Sequence, residues 1–188
     1  GVCEGMADLL DGRLVVSIAA GVALSTLGEL LPGARVVRVM PNLPIQVLSG
    51  ATAVCAGPRA TEQDVELVRS LFSSLGSAQV MREDQLDAEG AVVSCGPAYV
   101  ALFIDALTRA GILRGLPASA CREMVEATVL GVAQTLLQTG EHLTWRHDGC
   151  GAARARAAAG RRCLRGGRRC LGEDLGTRGG QVAHHGDV

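Results

Sequence analysis

The fold turns on the stretch RLVVSIAAGVALSTLGELLPGARVVRVMPNLP, residues 13–44. Its two ends, RLVVSIAAG (13–21) and RVVRVM (35–40), hold short β-branched runs, while ALSTLGELL between them carries apolar residues at helical spacing. The pattern reads as strand, helix, strand. Further along, GATAVCAG (50–57) reads as a third strand and SAQVM (77–81) as a fourth. Between those two, Thr61 with Asp64 three residues on makes a capping pair ahead of Val65, Val68, Leu71, Phe72 and Leu75, which predicts a helix. Strands and helices alternating at this length predict an α/β layer with a largely parallel sheet.

After Arg82 the pattern becomes purely helical. Val100, Phe103, Ile104, Leu107 and Ile112 recur at helical spacing from Gly96 to Arg114, and GLP (115–117) punctuates. A second helix is predicted from about Ser119 to Thr139, carrying Met124, Ala127, Leu130, Val132 and Leu136, with Gly140 as its C-cap. Both helices have Ala, Val and Leu on more than one face. Such helices suit a bundle shared between subunits, and a helix buried in a larger monomer would have the same composition. Beyond His142 neither period persists, and the tail reads as disordered.

Charge marks the same boundary. The chain has 188 residues, 48% of them hydrophobic, enough for a core, and its formal net charge is −1. Residues 143–188 carry nine Arg against four acids (Asp148, Glu173, Asp174 and Asp187), or +5, which leaves 9 − 15 = −6 for residues 1–142. Every basic residue is Arg. The seven cysteines fall at scattered spacings with no CxxC pair, so reduced and mostly buried thiols are expected, and no metal site. No apolar run approaches the roughly 20 residues of a membrane span, and GVCEGMADLLDG at the start lacks the pattern of a signal peptide. No membrane partner is expected.

Three motifs could carry chemistry. In SIAAGV (17–22), small residues after a strand would let a flat ring approach the backbone, and the turn into the next helix offers N–H groups to an acceptor. A tight strand-to-helix turn needs the same residues. MPNLP (40–44) follows the next strand at the sheet edge where open α/β folds bind ligands. There Asn42 offers an amide to a carboxamide or ribose, or serves the turn itself. SCGPAYV (94–100) opens the first long helix, with Gly96 and Pro97 near its first turn and amides free to receive a polar group; it also reads as a plain helix start. No His precedes His142, which speaks against a Cys95/His nucleophile pair. No GxGxxG follows a strand.

In this order and at these separations the motifs resemble pyrroline-5-carboxylate reductases. VVSIAAGV, RVVRVMPNLP, GATAV, LVRSLFSSLG, GPAYVALFIDALTRAGILRGLP and TVLGVAQTLLQTGEH each look like the corresponding family segment, continuously from about Leu14 to His142. The resemblance implies an α/β part followed by an all-α part. Residues 1–83 would be the C-terminal part of a Rossmann-type NAD(P)-binding domain, entered past its middle and without the glycine-rich cofactor loop. Residues 84–142 would be a truncated helical dimerisation domain. The implied reaction is reduction of 1-pyrroline-5-carboxylate to L-proline with NADPH or NADH in proline biosynthesis, by a cytoplasmic homo-oligomer that binds no nucleic acid. Ala19, Ala20, Gly21 and Asn42 would border the nicotinamide, and Ser94, Cys95, Gly96 and Pro97 would face the substrate. No residue is implied as covalent catalyst. The alternative is an inactive remnant or a helical module that pairs with an intact subunit.

Two departures stand out. Where the family reads like TALSGSGPAY, this chain has GAVVSCGPAY, with Gly90 at that Thr, Val93 and Ser94 at the next Ser and Gly, and Cys95 at the following Ser. Downstream of GEH the family carries a loop reading SPGGTT, whose backbone N–H groups clamp the substrate carboxylate and whose last Thr faces the ring nitrogen. Here residues 143–148 read LTWRHD. The codons CTC ACC TGG CGG CAC GAC are one allowed spelling of those residues, and read one base forward, with the G of the Gly149 codon, they give SPGGTT. Residues 143–188 are therefore expected to be an out-of-frame tail. On that reading GRRCLRGGRRC is no nucleic-acid patch, and His184 and His185 hold no functional metal.

Overall fold

A computed structural model of the chain describes residues 5–140. The tail 143–188 lies outside the described residues. The chain divides into two compact units, Gly1–Tyr99 and Val100–Val188.

The first unit is built on four strands: β1 (Leu14–Ser17), β2 (Arg35–Pro41), β3 (Gly50–Ala56) and β4 (Gly76–Val80), in the order β1-β2-β3-β4. Helix α1 (Leu24–Leu30) links β1 to β2, and α2 (Glu62–Ser73) links β3 to β4; both linked pairs are parallel. The sheet is largely parallel, as expected, with one exception at its centre, where β2 and β3 are antiparallel with Val39 opposite Val54. Their connection holds only a short 3-10 turn, Leu43–Val47, whereas a parallel return needs a dozen or more residues. The strand alternation sorts the core onto both faces of this sheet. Val36, Ala53 and Cys55 pack with Leu24 and Leu27 of α1 and with Leu31 just past its end, together with Leu86. Val37, Val39 and Val54 pack with Val68 of α2 and with Ala78.

Past β4 the backbone turns helical and stays so. A 3-10 turn (Glu83–Gln85) leads into α3 (Leu86–Glu89), a π-helical turn (Gly90–Ser94) and α4 (Gly96–Ile112). The second unit holds most of α4 and all of α5 (Ala118–Thr139), joined at Gly115, whose φ of 94° suits glycine. Gly111 lets the two helices close up, because a Cβ there would collide with the Cys121 sulfur. Gly140 caps α5 at φ 64°, donating to the Leu136 carbonyl at 2.9 Å. Within this unit, among the described residues, only Ala106, Ala110 and Cys121 are buried apolar side chains; Leu113 and Leu137 are more than four-fifths exposed. The stretch Glu83–Ile112, with mean hydropathy 1.6, is long and apolar enough to cross a membrane by length and composition. This corrects the expectation that no run approaches such a span: its acids gather at its beginning, Glu83 to Glu89, and leave the rest nearly uncharged.

Asp64 joins several of these elements. Its backbone N–H donates to Thr61 Oγ1 at 3.1 Å, and its Oδ2 accepts from the Thr61 hydroxyl (2.7 Å), the Thr61 N–H (2.9 Å) and Arg35 Nε (2.9 Å). The bonds from Thr61, then Arg35, lower its pKa from 3.8 to about 2. A carboxylate whose folded pKa is lowered adds stability that is complete above the unfolded value and is lost as pH falls through the folded one. Acid unfolding followed by circular dichroism is therefore expected to contain a contribution between about pH 4 and pH 2 that Asp64→Asn removes. An unchanged profile in that variant would refute it.

Candidate functional site

All the candidate residues named from the sequence belong to the first unit. Because β1 and β2 run parallel with Ser17 opposite Arg38, the loops that leave their carboxyl ends share one sheet edge. Ala19, Ala20 and Gly21 form the first loop and are exposed. Gly21 has φ 74°, and a Cβ there would meet nothing within 4 Å. The backbone at this turn is open to a flat ring.

The N–H groups at the start of α1 are less free than the sequence suggested. Ala23 supplies no side-chain cap, and the Leu24 N–H donates instead to Glu83 Oε1 at 2.6 Å. The same oxygen accepts from Arg38 Nη1 at 3.1 Å. Arg38 sits on β2 with its side chain 10% exposed, so Glu83 neutralises a nearly buried guanidinium and caps a helix at once. Cys55, opposite Arg38 on β3, has its thiol pKa raised by burial and then by the Glu83 charge, against the lowering effect of Arg38.

Asn42 begins the second loop, and both ends of its amide are engaged. Its Oδ1 accepts the Ala51 N–H at 2.8 Å, continuing the β2–β3 ladder, and its Nδ2 donates to the Val93 carbonyl at 3.2 Å. Sequence reasoning missed the reason for the second bond. In a helix each N–H serves the carbonyl four residues back, and Pro97 has none to give Val93. The Cys95 N–H reaches that carbonyl from within the turn, and Asn42 adds a side-chain donor from β2. One amide hydrogen of Asn42 remains for a ligand.

α4 begins at Gly96, as the sequence led us to expect, but the amides at its start are not all free. The helical path already runs through α3 and the π turn, and the Cys95 N–H is shared between the Gly90 carbonyl, at 3.0 Å, and the Val93 carbonyl. The wider π turn absorbs the proline. It also sets Ser94 over Glu89, whose Oε2 accepts the Ser94 hydroxyl proton at 3.0 Å. Glu89 is 6% exposed, its Oε1 has no hydrogen-bond partner among the described residues, and burial raises its pKa against the lowering effect of Ser94. Ser94, Gly96 and Pro97 are half-buried and Cys95 is exposed. The structure thus joins Asn42 to the turn carrying Ser94–Pro97, whereas Ala19–Gly21 share its sheet edge without a bond to either. Among the described residues no three His, Cys, Asp or Glu side chains cluster as metal ligands.

Residues 83–160 match the family model described as pyrroline-5-carboxylate reductase dimerisation. The pyrroline-5-carboxylate reductase of Schizosaccharomyces pombe is 36% identical over 138 residues, 73% of this chain and 49% of that protein. This chain spans about half the length of the curated relatives it matches. Among solved structures, a Coxiella burnetii pyrroline-5-carboxylate reductase superposes with TM-score 0.78 at 29% identity, covering 94% of this chain and 69% of that one. A Plasmodium falciparum pyrroline carboxylate reductase with NADP bound superposes with TM-score 0.72 at 25% identity, covering 92% of this chain and 72% of that one.

The Pro97–Val93–Asn42 arrangement is testable by a double-mutant cycle. Asn42→Ala strands the Ala51 N–H, leaves the Val93 carbonyl only its shared bond from Cys95, and should cost about 1–3 kcal/mol in denaturant unfolding. Pro97→Ala restores a helical donor for Val93, so the double variant should recover about 1 kcal/mol of that loss. Strict additivity of the two substitutions would overturn the coupling.

Proposed function

Because the chain belongs to the pyrroline-5-carboxylate reductase family, we propose that it is the C-terminal half of such an enzyme's Rossmann-type domain (residues 1–83) followed by its helical dimerisation domain (84–142). The activity is reduction of the C=N bond of 1-pyrroline-5-carboxylate to give L-proline, in a cytoplasmic homo-oligomer. The observation that carries this reading is the Asn42 bridge. It links the loop after β2 to the turn before α4, the two segments that a cofactor ring and a substrate would both have to touch.

The residues present fit the nicotinamide end of NADPH or NADH, since Ala19–Gly21 leave their backbone uncovered and Gly21 has open space around it. When bound, that cofactor supplies the hydride. The chain's share is positional. Ala19, Ala20 and Gly21 border the ring, Asn42 offers its remaining amide hydrogen, and Ser94, Cys95, Gly96 and Pro97 wall the substrate side. Holding two reactants in register supplies most of the rate effect when no covalent intermediate forms. The exposed apolar faces of α4 and α5 support assembly through the helices.

The out-of-frame reading of residues 143–188 belongs to the same proposal, since the substrate clamp SPGGTT would then be encoded one base away. Sequencing the transcript across codons 138–150 is expected to give that loop in the shifted frame. Codons that allow it in no frame would refute this part. For the activity, purified chain with 1-pyrroline-5-carboxylate should consume NADPH or NADH, most strongly once the loop is restored, and Asn42→Ala should lower kcat/KM roughly tenfold. No turnover from the frame-restored chain, with or without the segments its relatives carry before Gly1, would sink the reading.

A further inference from the structure

Glu89 is a buried acid that the positional mechanism does not use. It ends α3, is 6% exposed, and touches the candidate site through one bond, the Ser94 hydroxyl to its Oε2 at 3.0 Å. A serine hydroxyl has one proton and two lone pairs. A carboxylate can only accept. Once the Ser94 proton is given to Glu89, the half-buried Ser94 oxygen has only lone pairs left to offer a ligand.

The scaffold fixes this orientation. The π turn stacks Ser94 five residues above Glu89, and Asn42 pins the Val93 carbonyl just before Ser94. Around the turn, α3 carries Asp87, the preceding 3-10 turn carries Glu83 and Asp84, and β2 carries Arg38, whose side chain is bonded to Glu83. No cation is paired with Glu89 among the described residues. Its Oε1 is buried without a partner, so the Ser94 proton is the one side-chain donor the carboxyl holds.

We infer that Glu89 is a positioning residue that sets the hydrogen-bond polarity of the substrate site: it makes Ser94 Oγ an acceptor and so selects a ligand bearing a ring N–H. The inference rests on the proposed function and deepens it, because a protonated cyclic imine and its secondary-amine product both present that N–H. Burial raises the Glu89 pKa. Above that pKa the carboxylate takes the Ser94 proton; below it the protonated acid can itself donate to Ser94, and the preference weakens.

The test has two arms, the first on the full chain and the second on the full chain with the SPGGTT loop restored. In the first, the Glu89 carboxyl is titrated by carbon-13 NMR in wild type and in Ser94→Ala. Loss of the donated proton should move the titration to higher pH; an unmoved or lowered titration overturns the donation. In the second, binding of L-proline is compared with that of oxolane-2-carboxylate, which carries a ring oxygen in place of N–H. At mildly alkaline pH wild type should prefer proline, and the preference should fall about fivefold or more in Ser94→Ala and in Glu89→Val, whose apolar side chain suits a buried position. Glu89→Gln, which can still accept the serine proton, should keep most of it. An equal preference in all four proteins overturns the polarity role and leaves the proposed function standing. A normal Glu89 titration with neither probe bound overturns the substrate reading of this site, and the inference falls with it.

Discussion

A proline inside a helix leaves one carbonyl without its donor, and in this protein much of the candidate site follows from how that debt is met. Pro97 cannot serve Val93, and the π turn from Gly90 to Ser94 carries the backbone past the irregularity without ending the helix. The Cys95 N–H reaches that carbonyl locally, and a second donor comes from Asn42 at the end of β2, whose other amide atom is already committed to Ala51 on β3. A single side chain therefore ties the sheet's central pairing to the turn ahead of α4. That one bond also fixes where Ser94 stands over Glu89.

Acid placement gives the first unit a second set of long-range ties. Asp64 and Glu83 join segments far apart in sequence, each differently, whereas Glu89 bonds within its own turn. Asp64 collects donors until its carboxyl stays ionised well into acid. Glu83 shares one oxygen between a buried guanidinium and a helix N-terminus. Glu89 has no cation, and burial moves its pKa the other way.

The strands, both helices of the α/β part and the Thr61–Asp64 cap were legible in the sequence, because alternation and capping are local signals. The long helices were legible for the same reason, and Gly140 ended the second as expected. The antiparallel β2–β3 pairing was also within reach, since the segment between MPN and GAT is too short for a crossover. The site was less legible, because its bonds join residues far apart in the chain. Nothing beside Leu24 announces Glu83, and nothing beside Asn42 announces Val93. The readable clue was Pro97 itself: a proline in a helical pattern names the carbonyl four residues back as needing a donor.

The reversal between β2 and β3 also sets an order of assembly. A ladder closed through a short 3-10 turn forms from neighbours in sequence, on the microsecond scale of a hairpin, whereas the parallel pairings on either side must wait for α1 and α2 to close longer loops. The sheet is thus seeded at its centre and grows toward both edges. Val37, Val39 and Val54, all at its centre and nearly inaccessible to water, would be the first apolar side chains to find one another. On this account the middle of the sheet owes its start to contacts made entirely between residues 35 and 56.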